Sequence, residues 1–143
     1  LTRGGKLVGE SQILVGSLSF NQVRRAKVAK NVVILVRQDG LGSVAPSDAE
    51  FGMEMFDRFL HALEGQEIKP QAICFYTQGV KLVCKGSKAV FGLKMIQGMG
   101  VQVLSCKTCL EYYGLLEEVA VGEVRGMAEI LKIVLEADHV VTI

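Results

Sequence analysis

From residue 31 onward the chain alternates short apolar runs with longer amphipathic stretches. "NVVILVRQ" (31–38) is an almost unbroken β-branched run, the pattern of a strand covered on both faces. "DGLGS" breaks it. "SDAEFGMEMFDRFLHAL" follows, with Phe51, Met55, Phe56, Phe59, Leu60 and Leu63 on one helical stripe and Ser47 and Glu50 in capping-box spacing. Pro70 precedes a second strand, "QAICFYT". "GVKLVC" and "SKAVFGLKMIQG" read as two short helical pieces, with Gly86 as a stop and Ser87 as an N-cap. "VQVLS" is a third strand and "VAVGE" a short fourth. "VRGMAEILKIVLEAD" reads as a helix burying Met127, Ile130, Leu131, Val134 and Leu135, and "HVVTI" closes as a last strand.

This alternation predicts an α/β domain over residues 31–143, with a mainly parallel sheet of about five strands and helices on both faces. Residues 1–30 break the pattern: two short β-like runs end in the basic stretch Arg24, Arg25, Lys27 and Lys30. They read as an N-terminal appendage or linker. The chain begins with Leu1 instead of Met, as a fragment or a processed chain would.

Composition narrows the function classes. Half of the 143 residues are hydrophobic and Trp is absent, so the core is aliphatic, with apolar material left for a subunit interface. Sixteen basic residues against fifteen acidic ones give no field to steer the chain to nucleic acid or an anionic membrane. No apolar run reaches bilayer-spanning length, and the expected location is cytoplasmic. There the four cysteines, Cys74, Cys84, Cys106 and Cys109, are expected as reduced thiols.

In open parallel sheets, chemistry collects outside the carboxyl ends of the strands. Three loops fall on that edge: "DGLGS", "TQGVK" and "CKTCL". Cys74 and Cys84 read as small core residues, whereas Cys106 ends a strand, where exposure is expected. A helical turn starting near Thr108 would favour a thiolate at Cys106, with Lys107 adding positive potential. One C-x-x-C supplies two of the four ligands a closed zinc site needs, and no second pair accompanies it. A thioredoxin-like couple lacks both its long helix and its facing proline, although a reversible Cys106–Cys109 disulfide remains chemically easy. "DGLG" matches neither phosphate-loop fingerprint, so Gly40 and Gly42 read as turn glycines and nucleotide binding stays a minor alternative.

The stretches "DGLG", "EFG", "GVKLVCKGS", "GVQVLSCKTCLEYYGL", "AVGEV" and "ADHVVTI", in this order over about four fifths of the chain, resemble the DsrE-type domain of the YedF-like selenium-metabolism proteins, within the DsrE/DsrF family. The resemblance implies a three-layer α/β/α fold, assembly into a homo-oligomer, and a sulfurtransferase role in which a cysteine carries a persulfide. It assigns that persulfide to Cys106 and matches Cys109 to the second cysteine of the YedF-like subgroup. It implies no metal or organic cofactor. Apart from the resemblance, Tyr112 and Tyr113 read from the sequence as candidate walls of the site, with packing the expected role of at least one. Residues 1–30 hold no cysteine and are too short for the TusA-like domain that usually precedes this one. The implied sulfur donor or acceptor is therefore a separate TusA-like carrier, or the activity has been lost. Two other classes compete: a non-catalytic interaction subunit of a sulfur-relay complex, and a small-ligand module at the "DGLG" edge.

Overall fold

The β-branched run at the start of the regular pattern forms β1 (Val32–Val36), with Val33 and Val36 fully buried. Around it the computed structural model, which describes residues 31–143, builds a parallel five-stranded sheet. The expectations for residues 1–30 lie outside the described residues. The other strands are β2 (Ala72–Phe75), β3 (Gln102–Cys106), β4 (Glu123–Arg125) and β5 (His139–Thr142), in the spatial order β4-β3-β2-β1-β5. All pairings are parallel, with Val33 opposite Ala72 and Val140, and Phe75 opposite Ser105.

Four α-helices connect the strands: α1 (Ala49–Glu64), α2 (Val90–Gly98), α3 (Lys107–Tyr112) and α4 (Met127–Glu136). On one face Ile34, Val36, Ile73, Phe75 and Val103 pack with Phe56 and Leu60 of α1 and Leu93 and Ile96 of α2. On the other, Val33, Ala72, Cys74, Leu104 and Cys106 pack with Ile130 of α4. The strand–helix alternation and the three-layer arrangement expected from it are therefore present.

Several local expectations are corrected. Ser47 and Glu50 form no capping box, because Pro46 opens a 3-10 turn (Pro46–Asp48) and α1 begins after it, with Asp48 at its N-cap and no side-chain capping bond. Phe51 is exposed, and α1 buries Gly52, Phe56 and Leu60. "GVKLVC" belongs to a 3-10 segment, Thr77–Val83. The fourth strand starts at Glu123, because Gly122 turns with φ 82° against β3, where a Cβ would overlap the Val103 carbonyl oxygen. The helix near the C-terminus docks through Ile130, Ile133 and Val134, which leaves Met127, Leu131 and Leu135 exposed. Ser87 is not the cap of α2, which has Ala89 at its N-cap and no side-chain capping bond; the Ser87 hydroxyl instead accepts the Ala89 N–H (3.1 Å) in the turn before the helix, where Gly86 takes φ 88°.

Candidate functional site: the cysteine pair at the strand ends

β3 carries its apolar residues to the carboxyl edge of the sheet, and Cys106 is its last residue. The helical turn expected near Thr108 begins at Lys107, so Cys106 is the N-cap of α3 and Cys109 stands at its third position. An N-cap side chain and the residue three further on share one side of the first turn, and this is what the C-x-x-C spacing achieves here. α3 is short because Gly114 (φ 69°) ends it: its N–H reaches the Glu111 carbonyl at 3.1 Å and the Leu115 N–H reaches Leu110 at 2.8 Å. These are the two bonds of a Schellman motif.

The two thiols differ in access. Cys106 is 1 % exposed and buried among Val33, Ala72, Cys74, Leu104 and Ile130, against the expectation that a strand end would expose it. The strand places its side chain on the α4 face, and α4 covers it. Cys109 is half-buried and borders the hydrophobic clusters of both faces. Both are free thiols. Burial pushes the Cys109 thiol up, a hydrogen bond from the Thr77 backbone N–H lowers it, and the hydrogen-bonded neighbour Cys106 raises it again.

The sequence reading missed Thr77. It follows β2, and its N–H points at the Cys109 sulfur at 3.0 Å. Its φ of 46° is the only positive value at a non-glycine residue among those described. The signal available in the sequence was weak: "TQG" after a strand marks a turn and not which amide faces the sulfur. Nearby, the Lys81 ammonium lies 4.7 Å from the centre of the Tyr113 ring, whereas Tyr112 is exposed. Tyr113 thus borders the site while Tyr112 packs on it only edge-to-face. Lys107 is exposed.

The remaining cysteines sit apart from the pair in character. Cys74 is fully buried in mid-strand, and burial pushes its thiol up to about 11. Burial, then the Glu118 carboxylate, raises Cys84, whose sulfur donates to the Val80 carbonyl. Among the described residues no three His, Cys, Asp or Glu side chains gather as metal ligands, and no helix is long and apolar enough to cross a membrane.

The "DGLG" loop borders a cavity of about 320 Å³ lined by Gln38, Asp39, Pro46 and Gln78 among others. Gly40 lies against α1 so closely that a Cβ would fall 2.8 Å from the Gly52 backbone. Burial raises the Asp39 carboxyl, Lys81 partly offsets this, and the Asp39 Oδ1 is buried without a partner. Gln78 follows Thr77 directly, so the cavity and the cysteine pair share one turn of chain.

The model of the DsrE/DsrF-like family matches residues 30–143. The chain belongs to the DsrE/DsrF-like family. Two solved structures share the fold of this family member. The ychN protein from E. coli is 22% identical with a TM-score of 0.59, and the alignment covers 80% of this chain and 99% of that one. MTH1491 from Methanobacterium thermoautotrophicum, described as a protein of unknown function, is 16% identical with a TM-score of 0.58 and the same coverage. No curated protein matches significantly.

Proposed function

We propose that the chain carries a sulfane sulfur, or selenium, on the Cys106–Cys109 pair and passes it to an acceptor protein or small molecule. The observation that supports this best is the pair itself: two free thiols on the first turn of α3 at the carboxyl edge of the sheet, one buried and one half-exposed. Membership of a family implicated in sulfur relay points the same way.

Exposure sets the order of events. Cys109, the sulfur that solvent reaches, meets the donor. Its thiolate attacks the outer sulfur of a persulfide R–S–SH, forming Cys109–S–SH and releasing R–S⁻. The Cys106 thiolate then takes that outer sulfur, giving Cys106–S–SH and returning Cys109 to the thiolate. Residence on Cys106 shields the persulfide from free thiols. Attack by Cys106 on the inner sulfur instead forms the Cys106–Cys109 disulfide and releases HS⁻. No step consumes a metal or organic cofactor. A reducing, cytoplasmic setting suits this chemistry, with a separate TusA-like protein as donor or acceptor. Met127, Leu131 and Leu135, exposed on α4, supply an apolar surface for a homo-oligomer.

Intact mass after incubation with a persulfide donor tests the proposal. The wild-type chain gains one sulfur atom. Cys109→Ser gains it far more slowly, and Cys106→Ser gains it but loses it quickly to added thiol. Absence of an adduct in all three chains ends the proposal in favour of a non-catalytic interaction subunit.

The cavity beside Asp39 supports a second reading, a small-ligand module. A compound bearing an N–H donor that raises the melting temperature of the wild type and not of Asp39→Asn would establish it.

A further inference from the structure

The Thr77 turn is the most strained segment among the described residues, and its strain is aimed at a sulfur. We propose that the backbone N–H of Thr77 is the donor that holds the Cys109 sulfur as an anion, both when it attacks and when it leaves. The inference deepens the carrier reading and takes its chemistry from it, while its test reads the thiol alone.

A β-branched residue at φ 46° is strained, and such a conformation persists only where its surroundings fix it. Three features do so. The Thr77 hydroxyl lies 2.9 Å from the Arg37 carbonyl oxygen and 2.7 Å from that of Tyr76, either of which accepts its single proton. The Tyr76 N–H extends the ladder to the Val36 carbonyl at 3.1 Å. Gly79 then returns against the same carbonyl so tightly that a Cβ would overlap its oxygen, and its N–H closes on Tyr76 at 3.0 Å. The chain is thus clamped on both sides of Thr77, and what the clamp presents outward is one amide at 3.0 Å from the Cys109 sulfur.

Among the described residues, the Thr77 N–H is the one group that favours the Cys109 anion. Cys106, at the end of β3, opposes its ionisation, as does burial. Lys81, on the same segment as Thr77, is engaged over the Tyr113 ring, and its charge acts on the Asp39 carboxyl. The amide therefore carries the stabilisation of the anion. In the receiving step it raises the fraction of attacking thiolate. In the inward step Cys109–S⁻ is the leaving group, and a better-held thiolate leaves faster.

The experiment follows Cys109 in the full chain by the pH dependence of its alkylation with iodoacetamide, located by peptide mass. Thr77→Gly keeps the amide and adopts positive φ without strain, so the midpoint stays at the wild-type value. Thr77→Ser keeps the hydroxyl anchor and also stays near it. Thr77→Val loses the anchor but keeps the strain, so the turn relaxes and the amide swings away. Its midpoint rises by about one pH unit, and alkylation at pH 7 slows about tenfold. Thr77→Ala carries the same expectation should Thr77→Val fail to fold. An unchanged midpoint in a folded Thr77→Val or Thr77→Ala chain overturns the inference, as does a shift in Thr77→Gly equal to theirs. If the midpoints move as expected but the wild type takes up no sulfur, the donor role stands and the carrier reading fails.

Discussion

On one face of the sheet, α1, α2 and the Thr77–Val83 segment meet Ile34, Val36, Ile73, Phe75 and Val103. On the other, among the described residues, α4 is the main cover of Val33, Ala72, Cys74, Leu104 and Cys106, with Tyr76 and Cys109 at its margin. Among the described residues the buried cluster of the first face has seventeen members and that of the second has six, so the first carries most of their core. The order of the strands explains the difference. From β1 to β4 the chain steps always in one direction, and right-handed crossovers put those connections on a single face. Only the return from β4 to β5 runs the other way, and it places α4 opposite. Five strands about 4.8 Å apart make a sheet about 20 Å wide, and one helix about 10 Å across covers roughly half of it. Leu35 and Val140 on that face are accordingly only half-buried. Cys106 lies on this thin side, and Cys109 sits where the two sides meet.

The largest expected effect tests whether the faces are energetically unequal. Phe56→Ala empties a fully enclosed position on the thick face and should cost about 3–5 kcal/mol in denaturant unfolding. Ile130→Ala on the thin face should cost about 2 kcal/mol, because α4 can settle toward the sheet. Equal losses would mean that α4 is held as rigidly as α1.

Cys74 gives the next test. Its thiol ionises near 9.0 in the unfolded chain and at about 11 in the folded one. Between those values the folded chain holds a proton that the unfolded chain has released. The stabilisation is complete below pH 9 and is lost as pH rises through 11, about 2–3 kcal/mol in all. Other groups titrate in the same range, so the measurement is the difference between wild type and Cys74→Ala. The wild type should lose stability more steeply from pH 9 to 11. Parallel curves would mean that Cys74 is reached by water.

The strands were the legible part of this chain. "NVVILV" and "QAICF" are apolar on both faces, and burial on both faces is what a parallel sheet imposes. Helix faces were less legible. The stripe from Met127 to Leu135 is apolar over more than one side, and the periodicity alone does not say which side docks. The C-x-x-C marked the site, because its spacing is also the spacing of an N-cap and the first turn of α3. The burial of Cys106 was not legible, since it depends on α4 arriving from a distant part of the chain. Thr77 was hidden for a different reason: its contribution is a backbone amide, and a backbone amide leaves no mark in a sequence.

Ser47 and Ser87 sharpen the lesson at lower energy. Both stand before a helix on the thick side, and only Ser87 accepts a backbone N–H there. Ser87→Ala, which removes this hydrogen bond from the turn before α2, should cost about 1 kcal/mol and Ser47→Ala only a few tenths. Similar losses would mean that the turn at Pro46 rearranges to let Ser47 cap.

The smallest effect on the single chain is expected at Leu135, which is 74% exposed at the end of α4. A leucine that contributes little to its own fold can be removed at little cost, so Leu135→Ser should change unfolding of the dilute chain by less than about 0.5 kcal/mol. The same substitution should act strongly on assembly if the exposed stripe meets another copy, because it deletes the most exposed apolar side chain of that stripe. Sedimentation at rising concentration separates the two effects: the wild type should associate and Leu135→Ser should remain smaller, with equal melting temperatures at the lowest concentration. Lowered stability in the dilute chain would instead mean that Leu135 is covered within its own subunit. In that case the thin face would be thicker than its one helix implies, and the contrast between the two sides would shrink.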